Sequence, residues 1–112
     1  MKILITGGSG LIGRNLVAEL SKNNSLEIFL ISHTKKSEKK SVKVTNIYHD
    51  LTKSIPEEKI PININVVIHL AAIAHKTNAE TMKVNCLMTR NITEPFLNKN
   101  VRFVFFSSVA VY

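Results

Sequence analysis

Four glycines near the start of the chain form the stretch best suited to chemistry. The segment "TGGSGLIG" holds Gly7, Gly8, Gly10 and Gly13, directly after the apolar run "KILIT" and at the start of an amphipathic segment. If the run is a strand and the segment a helix, the free N–H groups of the first helical turn point out of the strand's carboxyl end, where an anion can bind. The spacings GxxGxxG and GxGxxG therefore predict a dinucleotide site, with a purely structural turn as the alternative.

Three of these glycines have distinct expected tasks. Gly7 allows the tight turn, Gly10 lets a pyrophosphate approach the backbone, and Gly13 lets the helix pack close to the strand. Each task depends on the absence of a side chain, which explains why glycine is tolerated here despite its entropic cost.

The end of the second predicted strand bears on the choice of coenzyme. An acid there would accept hydrogen bonds from the adenosine ribose hydroxyls, but this chain has Ser32 and His33, followed by Lys35 and Lys36. Ser32 can hydrogen-bond a ribose hydroxyl or a phosphate, and the lysines, or Arg14 in the first helix, can neutralise a 2′-phosphate. The sequence leaves NAD and NADP open, and a solvent-facing basic loop is the alternative interpretation.

The basic charge is concentrated in one region of the chain. The 112 residues carry a net charge of +7, and seven of the lysines lie within residues 22–53. No aromatic residue stands within the densest part, "HTKKSEKKSVK", although single-stranded nucleic acid binding needs stacking platforms. A solvated loop or a phosphate contact is therefore favoured over a nucleic-acid surface.

Length and cysteine usage indicate a single domain in a reducing compartment. The only cysteine, Cys86, excludes an internal disulfide and is expected to be a small buried residue, so the cytoplasm is the expected location. His69 lies within an apolar strand and is expected to be a satisfied core histidine, while His75 is expected in a loop. The longest apolar segment, residues 66–74, is too short to span a bilayer.

Hydrophobic periodicity predicts alternating strands and helices. Strands are expected over residues 2–6, 26–32, 44–50, 64–74 and from 101 onward, and helices over residues 11–22 and 79–99. The crossover between the second and third strands leaves room for a short helix at most, and Pro56 is expected to open one helical turn. This alternation predicts an α/β fold: a Rossmann-type doubly wound parallel sheet with strand order 3-2-1-4-5, truncated after the fifth strand, in one domain over residues 1–112.

The two predicted helices should each bury one face. Pro95 cannot donate a backbone hydrogen bond, so the second helix should kink or end near Glu94. The residues expected to face inward are Leu11, Ile12, Leu16, Val17 and Leu20 in the first helix, and Met82, Leu87 and Ile92 in the second.

Five ordered motifs make the chain resemble the extended short-chain dehydrogenase/reductase family. They are "TGGSGLIG", "HDLT", "VVIHLAA", "VNC" and "FVFFSSVAVY", and together they extend over essentially the whole chain. Within that family the chain is similar to the NAD-dependent epimerase/dehydratase branch, which acts on nucleotide sugars. The resemblance implies NAD or NADP as cofactor, a nucleotide sugar as substrate and reversible hydride transfer at a sugar carbon.

The resemblance also implies roles around the cofactor's pyrophosphate and adenine. Leu11 and Ile12 would offer backbone N–H groups to the pyrophosphate. Asp50 would contact the adenine amino group, with Leu51 against the ring. Without the resemblance, Asp50 would be interpreted equally well as a turn residue at the end of a strand.

Further roles fall near the expected reacting centre. By resemblance, Ala71 and Ala72 are small residues that leave room for the cofactor, and Asn85 is the family's helix asparagine near the active site. Ser108 matches the catalytic Ser/Thr that hydrogen-bonds the reacting sugar hydroxyl, and Ser107 its neighbour on the cofactor side. Without the resemblance the serine pair would indicate a strand-terminating turn.

The family's Tyr-x-x-x-Lys motif does not occur in these residues. Thr52 stands four places after Tyr48, and Tyr112 matches a tyrosine upstream of the catalytic one. We therefore expect the chain to be the N-terminal portion of a longer enzyme, inactive on its own and able to self-associate, for instance as a homodimer. The alternative is a non-catalytic NADP-sensing or interaction module on the same fold.

Overall fold

Five parallel strands form one sheet in the computed structural model, which describes residues 1–33, 43–73 and 79–106. The strands are β1 (Lys2–Thr6), β2 (Glu27–Ser32), β3 (Val44–Tyr48), β4 (Val66–His69) and β5 (Arg102–Phe105). The strands are arranged in the order β3-β2-β1-β4-β5, and every neighbouring pair is parallel. This confirms the predicted strand order and the Rossmann-type fold, although most strands are shorter than the apolar runs that predicted them.

Two helices cover opposite faces of this sheet. They are α1 (Leu11–Leu20) and α2 (Ala79–Thr93), and short 3₁₀ turns span Glu57–Lys59 and Glu94–Phe96. Because side chains alternate along a strand, Ile3 and Ile5 of β1 join the cluster packed against α1, whereas Leu4 joins the cluster that includes Ile92 of α2. The sheet is thus doubly wound, as predicted.

The inward face of α1 differs from the prediction in its first turn. Leu16, Val17 and Leu20 pack against the sheet, but Leu11 and Ile12 are 72% and 60% exposed. The first turn extends past the carboxyl end of β1, and its buried residue is a glycine, Gly13. The two preceding positions therefore point away from the sheet.

The inward face of α2 was also predicted incorrectly in part. Ile92 is fully buried, but Met82 and Leu87 are exposed. Residues five apart are separated by about 140° around a helix, so these three cannot share one face. Cys86 lies four residues from Met82, on the same outward side, and is exposed rather than buried.

Both predicted proline effects are present. Helix α2 ends at Thr93, and a 3₁₀ turn containing Pro95 follows, so the helix ends where the prediction placed it. Pro56 directly precedes the 3₁₀ turn Glu57–Lys59. The crossover between β2 and β3 lies outside the described residues, and no helix in the described part of the chain is long and apolar enough to cross a membrane.

Candidate cofactor-binding cleft

The glycine turn joins β1 to α1 at the carboxyl edge of the sheet. Gly7 has a φ of +73°, which L side chains rarely adopt. The Gly10 N–H donates to the Gly7 carbonyl over 3.2 Å, and the Arg14 N–H donates to the Gly10 carbonyl over 2.9 Å. These bonds leave the N–H groups of Leu11, Ile12 and Gly13 without acceptors among the described residues.

Electrostatics at this turn favour an anion. The amino end of a helix carries a partial positive charge, and no acidic residue stands in the first turn of α1. In the part of the chain that the structure describes, a Cβ built on Gly10 would meet only the Gly7 carbonyl oxygen, at an ordinary 3.5 Å, so no described residue crowds this glycine. Free donors, positive potential and an open backbone therefore coincide at one place.

The other glycines of the turn are tightly packed. A Cβ on Gly7 would lie 2.6 Å from the Ala71 nitrogen, and a Cβ on Gly13 would lie 2.2 Å from the Gly7 carbonyl oxygen. Gly13 thus brings the helix against the turn itself, and Gly7 brings the turn against the end of β4. Because these glycines have no side chains, the turn, the start of α1 and the end of β4 can pack closely against one another.

A cleft of about 230 Å³ opens beside this turn. It lies where β1, β2 and β4 end, with α2 and the loop after β3 as further walls. Its lining residues are Gly7, Ser9, Ile31, Ser32, His33, His49, Asp50, Leu51, Thr52, Ala71, Ile73, Val84 and Met88. A crevice outside the carboxyl ends of parallel strands is the usual ligand position in such sheets.

The loop after β3 holds an ionised carboxylate at the cleft. Asp50 Oδ1 accepts hydrogen bonds from the Thr52 N–H at 2.9 Å and the Thr52 hydroxyl at 2.7 Å. These bonds lower the pKa of Asp50 below its usual value. The Leu51 carbonyl accepts a 2.7 Å bond from Asn91 Nδ2, which ties the loop to α2.

The opposite wall is tied to α2 through Asn85. Its side chain accepts a hydrogen bond from the Ile73 N–H at 2.8 Å and donates one to the Ile73 carbonyl at 3.1 Å. Asn85 therefore shapes the cleft by holding the segment after β4, while its own side chain is not part of the lining.

A larger groove of about 690 Å³ lies at the other end of the sheet, near the amino ends of β4 and β5. Residues around it include Ile62, Asn65, Phe96, Lys99 and Val101. None of the motif residues within ranges 1–33, 43–73 and 79–106 lines this groove, so size alone does not identify the candidate site.

The model of one protein family matches residues 3–112 of the chain, and its description is the NAD dependent epimerase/dehydratase family. The chain belongs to this family. The match covers the glycine turn, the loop after β3 and the end of β4, which are the three segments that form the cleft.

Known members and solved structures of the family agree with this assignment. A UDP-glucuronic acid 4-epimerase from Bacillus cereus, solved with NAD, is 25% identical, with a TM-score of 0.79 over 100% of this chain and 40% of that one. A UDP-galactose 4-epimerase is 27% identical, with the same TM-score and the same coverage. An epimerase family protein of Staphylococcus aureus is 43% identical over 68 residues, which are 61% of this chain and 21% of that protein. The chain thus spans well under half the length of these relatives.

This member of the epimerase/dehydratase family brings several predicted cofactor residues together. Gly7, Ser32, Asp50, Leu51 and Ala71 all line the cleft. Gly10, Leu11, Ile12 and Gly13 follow Ser9, which lines it as well, whereas Ala72 does not. Lys35, Ser107, Ser108, His75 and Tyr112 lie outside the described residues.

Sequence reasoning missed part of the lining in this family member. Val84 and Met88 of α2 form one wall, and His49 and Thr52 another. Val84, Met88 and Ile92 recur every fourth residue, which is the spacing of one helix face. From this spacing, the sequence could have predicted which face of α2 forms the wall of the cleft.

His69 is a satisfied core histidine, as predicted. It is 2% exposed, and its two ring nitrogens lie within hydrogen-bond distance of Thr6 and Thr89. Burial lowers the pKa of His69 below its usual value, because desolvation penalises the charged ring.

This lowered pKa makes stability depend on pH. Unfolding restores the ordinary pKa of about 6.5, so between the two pKa values the unfolded chain binds a proton that the folded chain does not. The His69 contribution to stability is therefore fully present above about pH 6.5 and decreases as the pH falls towards the folded-state pKa. Urea unfolding at a series of pH values should show this decrease in the wild type and a flatter profile in His69→Gln.

The control for this prediction is Asn91→Leu, which removes a buried polar side chain that does not titrate. It should lower the stability without altering its dependence on pH. An unchanged profile in His69→Gln would show that burial of this ring is not the cause. Asp50 does not interfere, because its pKa lies below this pH range.

Proposed function

We propose that this chain is the NAD(P)-binding portion of a nucleotide-sugar epimerase/dehydratase. The observation that carries the proposal is a group of three backbone N–H groups that have no acceptor within the described ranges, at a glycine turn next to a cleft at the carboxyl edge of the sheet. The NAD-bound structure of a similar epimerase supports the same choice of ligand.

The residues of the turn fit the pyrophosphate of a dinucleotide. Leu11 and Ile12 would donate their N–H groups to it, and Gly10 leaves the backbone accessible. Asp50 and Leu51 would contact the adenine. The small Ala71 and Ala72 would leave room for the rest of the cofactor.

The coenzyme's ribose would meet the end of β2. Ser32 and His33 line the cleft there, and neither is the acid that favours the free 2′-hydroxyl of NAD. Ser32 can hydrogen-bond either a hydroxyl or a phosphate, and Lys35 would stand near a 2′-phosphate. The proposal therefore includes both NAD and NADP.

The reaction of the whole protein would take place on a nucleotide sugar. The bound cofactor supplies reversible hydride transfer at a sugar carbon. Ser108 would hydrogen-bond the reacting hydroxyl, and Ser107 would lie on the cofactor side. Because the sequence of this chain holds no Tyr-x-x-x-Lys motif, we expect no turnover by these 112 residues alone.

We also propose that the protein forms a homodimer in the cytoplasm. Helix α2 exposes the apolar side chains of Met82, Cys86 and Leu87, and association of two copies would cover part of this surface. The single cysteine fits a reducing compartment.

Calorimetric titration with NADP and then NAD tests the binding function. The wild type should bind at least one of them saturably, and Gly10→Val should weaken that binding at least tenfold, because its side chain would fill the space left for the pyrophosphate. The ratio of the two affinities reports whether the end of β2 binds a 2′-phosphate.

The matched control is Ala18→Val, a similar enlargement on the exposed side of α1. This variant should bind as the wild type does. If the folded wild type binds neither dinucleotide, or if Gly10→Val binds as tightly as the wild type, the proposed function is wrong for this cleft.

A further inference from the structure

A chain of hydrogen bonds runs through the protein interior behind the cleft. Thr6 Oγ1 lies 2.7 Å from His69 Nδ1, and His69 Nε2 lies 3.1 Å from Thr89 Oγ1. The Ala71 N–H donates to Thr6 Oγ1 over 3.2 Å, and the Thr89 hydroxyl donates to the Asn85 carbonyl over 3.0 Å. These bonds connect the ends of β1 and β4 to α2.

The available hydrogen atoms determine which group donates and which accepts in each of these bonds. The Thr89 hydroxyl hydrogen is used on the Asn85 carbonyl, so the Thr89 oxygen accepts from His69 Nε2. The ring then carries its proton on Nε2, and Nδ1 accepts the hydroxyl hydrogen of Thr6. With the proton on Nδ1, the fully buried Thr6 hydroxyl would have no acceptor in the described part of the chain.

Both ends of the hydrogen-bond chain reach the cleft. Ala71 lines the cleft directly and packs against Gly7 of the glycine turn. At the other end, Asn85 holds Ile73, which also lines the cleft. The segment after β4 is therefore positioned from both sides of the His69 ring.

The surroundings of the ring leave it no charged partner among its described contacts. Its further neighbours are the rings of Phe103 and Phe105, whose centroids lie 6.4 Å and 5.8 Å away. The orientation of the imidazole is thus set by the two threonine hydroxyls, since the phenyl rings make no hydrogen bonds with it.

We propose that His69, held as the Nε2-protonated tautomer, is a positioning residue of the cleft that sets Ala71 and Ile73 relative to the glycine turn. The expected effect of His69 on binding rests on the proposed function, in which the ligand of this cleft is a dinucleotide. His69 acts through Thr6 and Thr89, so the threonines are where the proposal is most directly tested.

The tautomer is measured by nitrogen-detected NMR of the ¹⁵N-labelled chain. At neutral pH, His69 should show a protonated Nε2 and an unprotonated Nδ1. A proton on Nδ1, or rapid exchange between the two tautomers, would overturn the proposal. This experiment needs no ligand.

The positioning role is measured with paired threonine variants. Thr6→Val removes the hydroxyl at nearly constant volume, whereas Thr6→Ser keeps it, and the same pair is made at Thr89. Each valine variant should weaken binding of NAD or NADP, whichever binds the wild type more tightly, by about tenfold, and each serine variant by less than threefold. Equal binding by the valine and serine variants would show that the threonine hydroxyls do not position the cleft residues.

Amide hydrogen exchange separates this proposal from the proposed function. Because the Ala71 N–H donates to Thr6, its protection should fall in Thr89→Val as well as in Thr6→Val, even though Thr89 lies on the far side of the ring. Unchanged Ala71 protection in Thr89→Val would overturn the positioning role. A wild type that binds no dinucleotide but shows the expected tautomer and protection would instead refute the proposed function alone.

Discussion

Replacing Gly13 by alanine is expected to lower the free energy of unfolding by about 3 kcal/mol. Elsewhere in a helix the same change stabilises by about 1 kcal/mol, since alanine loses less conformational freedom. Here the new Cβ would lie 2.2 Å from the Gly7 carbonyl oxygen and 2.7 Å from the Gly8 Cα. Both are backbone atoms that cannot rotate away, so α1 must shift from the turn. Urea denaturation followed by circular dichroism measures the loss.

Gly10→Ala is the matched control for this prediction. Its Cβ would stand 3.5 Å from the Gly7 carbonyl oxygen, an ordinary contact, and its φ of −72° suits alanine. We expect its stability to remain within about 1 kcal/mol of wild type. Equal losses in the two variants would show that the glycine turn is sensitive to any side chain and that close packing at Gly13 is not the reason.

Ile92→Ala should cost about 3 kcal/mol of stability through the cavity that it leaves. Ile92 is fully buried and belongs to the cluster that contains Leu4 of β1 and Val67 of β4. Its removal weakens the attachment of α2 to the sheet. Thermal and urea denaturation should both detect the loss, and the cleft wall formed by Met88 should become less ordered.

The control for Ile92 is Met82→Ala on the same helix. Met82 is 68% exposed, so its truncation should change stability by less than about 0.5 kcal/mol. A large loss at Met82 would mean that its side chain is covered in solution, as in the proposed homodimer. Analytical ultracentrifugation of both variants distinguishes the two causes.

The strand order was predictable because it depends on features that sequence patterns carry strongly. Continuous apolar runs identify buried parallel strands, and right-handed crossovers leave few arrangements for them. The helix faces were less predictable. Leu11 is apolar but lies in a helical turn that extends past the sheet. Met82 and Leu87 are also apolar, but their side chains are exposed on the surface of α2. Apolar character alone does not distinguish a core position from such a surface.

The candidate cleft was predictable where backbone geometry governs it and less so where side chains converge from distant segments. The spacing of the glycine motif predicts the positions of Gly7 and Gly10 at the turn between β1 and α1. The contact of Asn91 with the Leu51 carbonyl joins residues 40 positions apart, and nothing local to either residue indicates it. The same holds for Thr6 and Thr89, whose link runs through one histidine ring.

The central position of β1 has a consequence for folding kinetics. Strand β2 can pair with β1, and β3 with β2, once the residues up to Tyr48 have been synthesised. The other edge of β1 pairs only with β4, whose Val66 is the partner of Ile3. Closing such a long loop delays the pairing and slows folding. Because the cleft takes walls from both halves of the sheet, it is completed only when this late pairing forms, and a nascent chain cannot hold a dinucleotide in it before then.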